Sequence, residues 1–347
     1  MVRDDQVGNG TLASDAQPPR TPNMSNAPTT LLVLADPAEP QLAMLDRFRD
    51  SVTIVTGQKP ELFTHSAPYA DAILVWTASR DLLQTVFAMA PRVRWVHSRA
   101  AGLDTLLFPA LVDSPIPLTN SMGVYSRSLG EFVAAAVLFF AKDFHRMQRN
   151  QAAGRWEQFD VEEAHGKTMG IVGYGDIGRA AARLAKALGM RVIALRRHPE
   201  KSRADELVDE VLPGDRLLEL MGRSDYVVAA APLTPDTRGL ISAAAIAAMK
   251  PTGVFINVGR GPVVDEAALI AALQGKAIRG AALDVFEKEP LPDGHPFYAM
   301  ENLLLSPHCA DHTQTWIDDA MRFFTENLER FVRGDALKNV VQKRLGY

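Results

Sequence analysis

The sequence predicts an α/β chain of two parallel-sheet units, one inserted within the other. Three observations carry that expectation. The chain has 347 residues, more than one ordinary domain holds. From Thr30 onward, short apolar runs alternate with helical stretches, the pattern of strands joined by crossover helices. A glycine-rich turn, flanked by a strand and a helix, sits at mid-chain around Gly173, so a second sheet starts there.

Composition narrows the classes. At 47% apolar and 22% charged, the chain has the mix of a soluble globular protein. A net charge of -4 gives no electrostatic reason for nucleic acid or an anionic membrane as partner. The apolar run Phe132–Ala141 is far short of the roughly 20 residues that span a bilayer. Cys309 is the single cysteine, which excludes an intrachain disulfide and a thiolate metal cluster and fits a reducing, cytoplasmic compartment. Residues 1–29 carry Pro18, Pro19, Pro22 and Pro28 among polar residues, without apolar periodicity, and predict a disordered tail. The tail lacks the apolar core of a secretory signal. Asp4, Asp5 and Asp15 against Arg3 and Arg20 argue against a transit peptide.

The first sheet is predicted from Leu31–Leu34, Val52–Val55, Ile73–Trp76, Val93–His97 and Ile116–Thr119, each nearly continuous in apolar character, as strands covered on both faces are. A helix over Ser126–Met147 follows. Ser128 and Glu131 have capping-box spacing at its start, and FVAAAVLFFA is apolar on every side, which predicts burial all round, between domains or between subunits of a homodimer. The second sheet is predicted from Thr168–Val172, Arg191–Leu195, Tyr226–Ala230, Val254–Val258, Ala281–Val285 and Leu303–Leu305. A last helix around Trp316–Arg333 is free to return to the first sheet. The division that results is 30–123 with 310–347 as a substrate domain and 124–309 as a nucleotide domain inserted into it.

Gly173-Tyr174-Gly175-Asp176-Ile177-Gly178 follows a strand and opens a helix. Gly173 permits the tight turn, Gly175 lets backbone approach a pyrophosphate, and Gly178 lets helix and strand pack closely. The helix N-terminus then offers free N–H groups to the phosphates. The two sheets are therefore expected to be Rossmann-like and flavodoxin-like. The next strand ends in Arg196 and Arg197, where NAD-binding folds usually place a carboxylate for the adenine ribose. Guanidinium groups pair with a 2′-phosphate, so NADP is favoured and NAD remains possible.

Arg260, Glu289 and His308 follow later strands, at the edge where open α/β sheets bind ligands. The segments INVGRGPVVDEAAL, ALDVFEKEPLP, NLLLSPHCA and PLTPDTRGLI resemble the motifs of the D-isomer-specific 2-hydroxyacid dehydrogenase family, in order from Thr30 to the C-terminus. WVHSRAAGLDTLL and LTNSMGVYSRSLGEF are most similar to its glyoxylate/hydroxypyruvate reductase branch.

The resemblance implies an oxidoreductase that converts small 2-keto acids to D-2-hydroxy acids, and it points to a homodimer. It implies His308 as proton donor to the keto oxygen, Glu289 as the carboxylate that holds the imidazole and favours its charged form, and Arg260 as the grip on the substrate carboxylate. Backbone N–H groups around Ala100, Ala101 and Gly102 would share that carboxylate. Asp176, Ile177, Pro232, Thr237, Val258 and Asp284 would line the cofactor, with Asp284 near the nicotinamide amide.

Other readings use the same residues. The machinery could serve another 2-hydroxy acid, such as 3-phosphoglycerate with NAD, or belong to a dinucleotide-sensing corepressor-type binding protein. His308 and His312 have the H-x-x-x-H spacing of metal ligands, but Pro307 makes helical geometry doubtful there, so no metal is expected. Asp311 and His312 depart from the usual small residue after the histidine. Ala78 and Ser79 occupy another loop expected to face the substrate, and Trp76 or Trp316 could narrow that pocket.

Overall fold

The computed structural model describes residues 28–202 and 204–346, so residues 1–27 of the expected tail lie outside the described residues. Thr29, also assigned to that tail, already belongs to the first strand. The first part runs β1 (Thr29–Leu34), β2 (Val52–Gly57), β3 (Ala72–Val75), α1 (Arg80–Met89), β4 (Trp95–Ser98), α2 (Pro109–Asp113) and β5 (Leu118–Asn120). Next come α3 (Ser126–Ala141) and α4 (Phe144–Ala152). The second part runs β6 (Thr168–Val172), α5 (Asp176–Ala187), β7 (Arg191–Arg196), β8 (Glu210–Pro213), α6 (Leu217–Arg223), β9 (Tyr226–Ala229), α7 (Ala243–Ala247), β10 (Val254–Asn257), α8 (Glu266–Gln274), β11 (Gly280–Leu283) and β12 (Leu303–Leu305). The helix α9 (Trp316–Arg333) follows.

The strands form two parallel sheets, ordered β2-β1-β3-β4-β5 and β12-β11-β10-β9-β6-β7-β8. The first is the flavodoxin-like order. The second extends the order of dinucleotide folds by one strand, with its switch point between β6 and β9. Leu31–Leu34 have no exposed surface, which is why that run is apolar without alternation.

The C-terminal helix returns to the first sheet. Phe324 stacks on Trp95 with ring centroids 5.4 Å apart, and Gln41 donates to Asp318 at 2.9 Å. Beyond α9, Val341 N donates to Leu118 O at 2.8 Å, and the Lys343 ammonium donates to the carbonyls of Leu111, Ser114 and Ile116.

The segment between the sheets departs from expectation in two ways. The helix expected over Ser126–Met147 breaks at Asp143, which takes a left-handed φ of 52° and caps α4 by accepting from Arg146 N. The capping box is absent: Ser128 Oγ donates instead to a tertiary partner, Ala310 O, at 2.7 Å, and Glu131 pairs with Arg127 one turn back along the helix. Within the single chain α3 packs on α5 with Gly130 so close to Ala180 that a Cβ would meet its carbonyl carbon at 3.0 Å, while Glu131 and Ala135 stay exposed and Phe132, Leu138 and Phe139 half-buried. A further strand, β8, was not expected, since EVLP is short and ends in proline, which edge strands tolerate.

His97, under Phe324 and 2.7 Å from Thr119 Oγ1, is wholly buried, and burial pushes its pKa down to about 3. It is therefore neutral in the folded chain, whereas in the unfolded chain it takes a proton near pH 6.5. Its contribution falls as pH drops below about 6.5 and keeps falling toward 3, about 1.4 kcal/mol per unit. Denaturant melts should show the stability gap between wild type and His97→Gln shrinking by about 2 kcal/mol from pH 7 to pH 5. A gap independent of pH would contradict a neutral buried imidazole.

Candidate active site

The glycine turn leaves β6 at Gly173, with φ 94°, where a Cβ would fall 2.5 Å from Ala231 N. A Cβ on Gly178 would fall 2.7 Å from Gly173 O, so the third glycine lets α5 sit against the turn. Gly175 is exposed, with nothing within 4 Å of where a Cβ would point. It precedes α5, which has no side-chain cap, so the first-turn N–H groups stay open. Such a cradle fits a pyrophosphate.

The other expected cofactor residues lie along the same sheet edge. Asp176 accepts the Ser126 hydroxyl, which ties α5 to the start of α3, and Ile177 packs half-buried against the core. Pro232 follows β9. Thr237 closes its loop by donating to Pro232 O at 2.6 Å and accepting from Thr234 N at 2.8 Å. Val258, buried, follows β10 and donates to Ala229 O at 3.0 Å. At the end of β7, Arg196 is half-buried with its guanidinium on Ser202, and exposed Arg197 pairs with Asp236 at 2.7 Å.

Arg260 leaves the end of β10 and reaches across to the loop after β4. Its Nε donates to Asp104 Oδ1 at 3.1 Å and its Nη1 to Gly259 O at 2.9 Å. A Cβ on Gly102 would lie 1.7 Å from Nη2, so the guanidinium rests directly on that glycine. The loop is fixed by its carbonyls, with Asn120 Nδ2 on Ala101 O at 2.6 Å and Ser98 Oγ on Ala100 O at 3.3 Å. Among the described residues no protein acceptor takes the N–H groups of Ala100, Ala101 or Gly102.

Glu289 uses both oxygens: Oε1 accepts from Phe286 N at 2.9 Å, and Oε2 lies 2.6 Å from His308 Nδ1. The carboxylate acceptor puts the Nδ1 hydrogen on that side, and among the described residues Nε2 has no partner. His308 adopts a left-handed φ of 53°, a conformation that costs a non-glycine residue on the order of 1 kcal/mol. Asp284 holds it there. Its Oδ1 accepts from Ser306 Oγ at 2.6 Å, Cys309 N at 2.9 Å and Ala310 N at 3.0 Å. Burial raises the Asp284 pKa, while these three donors and the His308 charge oppose that rise.

The C-terminal edges of the two sheets thus carry an imidazole fixed by a carboxylate and a guanidinium resting on a loop whose N–H groups have no protein acceptor among the described residues. A family model described as "D-isomer specific 2-hydroxyacid dehydrogenase, NAD binding domain" matches residues 134–310. The chain belongs to the D-isomer-specific 2-hydroxyacid dehydrogenase family. It is 34% identical over 316 residues to the glyoxylate reductase of Aeropyrum pernix, covering 88% of this chain and 93% of that protein. It is 29% identical to the D-3-phosphoglycerate dehydrogenase of Methanocaldococcus jannaschii, covering 91% of this chain but 61% of that protein. Among solved structures, the NADPH-dependent glyoxylate/hydroxypyruvate reductase of Sinorhizobium meliloti, in complex with NADP and sulfate, superposes with a TM-score of 0.79 at 29% identity, covering 92% of this chain and 100% of that one.

Within this dehydrogenase fold, the structure adds Asp104, which the sequence did not single out, and gives partners to residues that it did. Asp104 anchors Arg260, and its place two residues past Gly102 in the same motif was the available signal. Asp284 braces the His308 loop, a role beyond lining a cofactor. Trp76 is buried at the end of β3 and Trp316 opens α9, with the Arg99 guanidinium 5.2 Å and 5.6 Å from their ring centroids. His312 stacks on Trp316 at 4.1 Å, while His308 faces Glu289, so the two imidazoles take separate partners. Ser79 caps α1 by accepting from Leu82 N, and Ala78 packs against the core of the first sheet.

Proposed function

We propose that this dehydrogenase reduces small 2-keto acids of the glyoxylate and hydroxypyruvate type to D-2-hydroxy acids, with NADPH preferred over NADH. The observation that carries the reading is the imidazole of His308, held at Nδ1 by Glu289 and with no partner at Nε2 among the described residues, on the same sheet edge as Arg260. Arg260 and the free N–H groups of Ala100, Ala101 and Gly102 bind the substrate carboxylate. Arg260 also polarises the adjacent carbonyl. His308 Nε2 donates its proton to the C2 oxygen, and Glu289 orients the ring and offsets its charge. A bound nicotinamide cofactor supplies the hydride to C2. The open N–H groups of α5 and the loops at Pro232, Thr237 and Val258 seat that cofactor, and Arg196 and Arg197 take its 2′-phosphate. The relatives named as glyoxylate reductases, and the structural neighbour named as NADPH-dependent, support this assignment.

The division into a substrate domain (30–123 and 310–347) and an inserted nucleotide domain (124–309) belongs to the same reading, with support from the return of α9 to Trp95. So does a cytoplasmic homodimer, supported by the half-covered apolar face of α3 and the exposed Phe144, Met147 and Trp156 beside it. A panel of 2-keto acids assayed with NADPH and with NADH tests the function. Glyoxylate should turn over, with NADPH the better donor, and Arg196→Asp should weaken NADPH use about tenfold to a hundredfold while sparing NADH. A wild type that prefers NADH would refute the phosphate assignment. Light scattering at micromolar concentration should give a dimer mass, and a monomer mass would refute the assembly.

A further inference from the structure

The turns that carry Arg260 and Glu289 leave neighbouring strands, β10 and β11, and meet at the peptide joining Phe286 to Glu287. Gly261, directly after Arg260, lies so close to it that a Cβ there would fall 1.8 Å from Phe286 O and 2.4 Å from Glu287 N. Two carboxylates then grip consecutive N–H groups of the same turn. Glu289 Oε1 accepts from Phe286 N at 2.9 Å, and Glu266 Oε2 accepts from Glu287 N at 3.0 Å. Of these groups, Glu266 has no part in the proposed reaction.

Helix capping does not account for where Glu266 points. It opens α8, but Asp265 already caps that helix by accepting from Ala268 N at 3.0 Å. Glu266 reaches instead across 21 positions of chain to the turn before Glu289. Its other oxygen, Oε1, stands 3.4 Å from His295 Nε2, and both side chains are mostly buried, 16% and 15% exposed. His295 Nδ1 accepts from Phe297 N at 3.3 Å, which puts the proton of a neutral ring on Nε2, facing Glu266. The carboxylate thus has a donor for each oxygen, which holds it against the turn. Bonds from backbone N–H groups to an ionised carboxylate are among the strong ones.

We propose that Glu266, backed by His295, is a positioning residue for the proton-donating pair. By holding Glu287 N against the turn at Gly261, it fixes how far Glu289 and His308 stand from Arg260. Arg260 grips the substrate carboxylate and His308 serves the C2 oxygen, so an error in their spacing falls on the proton transfer. The proposal rests on the Glu289 and His308 roles proposed above. A misplacement of about 1 Å in such a constellation costs on the order of a hundredfold in rate.

Glu266→Ala should lower kcat for glyoxylate about tenfold to a hundredfold, with NADPH affinity by fluorescence titration close to that of wild type. Glu266→Gln keeps an acceptor for Glu287 N and should recover most of the loss. The deciding measurement is a double-mutant cycle with Glu289→Ala, whose own kcat should be low. Because Glu266 acts through Glu289, adding Glu266→Ala to that variant should cost less than about a further twofold. A further loss of about tenfold in that background, or a wild-type kcat in Glu266→Ala, would overturn the proposal and leave Glu266 a structural brace only. Where Glu266→Ala fails to fold, the same cycle with His295→Phe decides, since that change keeps a ring and removes the N–H facing Glu266. It should lower kcat severalfold alone and hardly at all beside Glu289→Ala, and equal losses in both backgrounds would overturn the proposal. A wild-type kcat in Glu289→Ala is a different result, which would take down the role of Glu289 itself and this proposal with it.

Discussion

Replacing His308 with alanine should lower kcat for 2-keto-acid reduction by about 10²–10⁴, the usual worth of a positioned general acid. Among the described residues the imidazole meets Glu289 on one nitrogen and no partner on the other, so its removal would take away the proposed proton donor without disturbing the glycine turn at Gly173. NADPH affinity, read by fluorescence titration, should change little. Glu289→Gln separates orientation from charge: the amide keeps an acceptor for Nδ1 but removes the negative charge beside the ring. Its kcat should fall less than that of His308→Ala. A kcat as low as that of His308→Ala would mean that the carboxylate's charge, and not its position alone, is required.

Arg260→Ala should act on both kinetic constants. The guanidinium rests on Gly102, so in the proposed reading it would grip the substrate carboxylate in ground and transition states alike and polarise the carbonyl besides. KM should rise at least about tenfold and kcat should fall, for a combined loss in kcat/KM of about 10³ or more. Arg260→Lys should recover little, because a point charge cannot reproduce the bidentate geometry or the bond to Asp104. A normal kcat with only KM raised would show that Arg260 does not act on the carbonyl.

The parallel sheets were legible because a strand covered on both faces must be apolar throughout, and the runs around Leu31 and Val254 carry that mark locally. The glycine turn was legible because its three glycines fall within six residues, between a strand and a helix. What escaped depends on partners distant in sequence. Ser128 has the spacing of a cap, yet Ala310 claims its hydroxyl across 182 positions. Asp143 breaks a helix that composition would continue, by taking a backbone conformation that aspartate tolerates. The three hydrogen bonds to Asp284 come from residues more than twenty positions away. Arg99 acquires meaning only when folding brings Trp76 and Trp316 to either side of it. The sequence singled out Arg260, Glu289 and His308 individually, but their common edge becomes visible only once β10, β11 and β12 lie side by side.

The mooring of the His308 loop to Asp284 has a consequence for synchrony. In the proposed reaction, hydride and proton would reach the two ends of one carbonyl from donors that no covalent bond joins. Asp284 stands at the tip of β11, and one carboxylate oxygen holds the Ser306 hydroxyl before the imidazole and the Cys309 and Ala310 N–H groups after it. Any drift of the strand tip under a bound nicotinamide carries the acid along with it. In that reaction one short side chain would help fix the gap between the two donors.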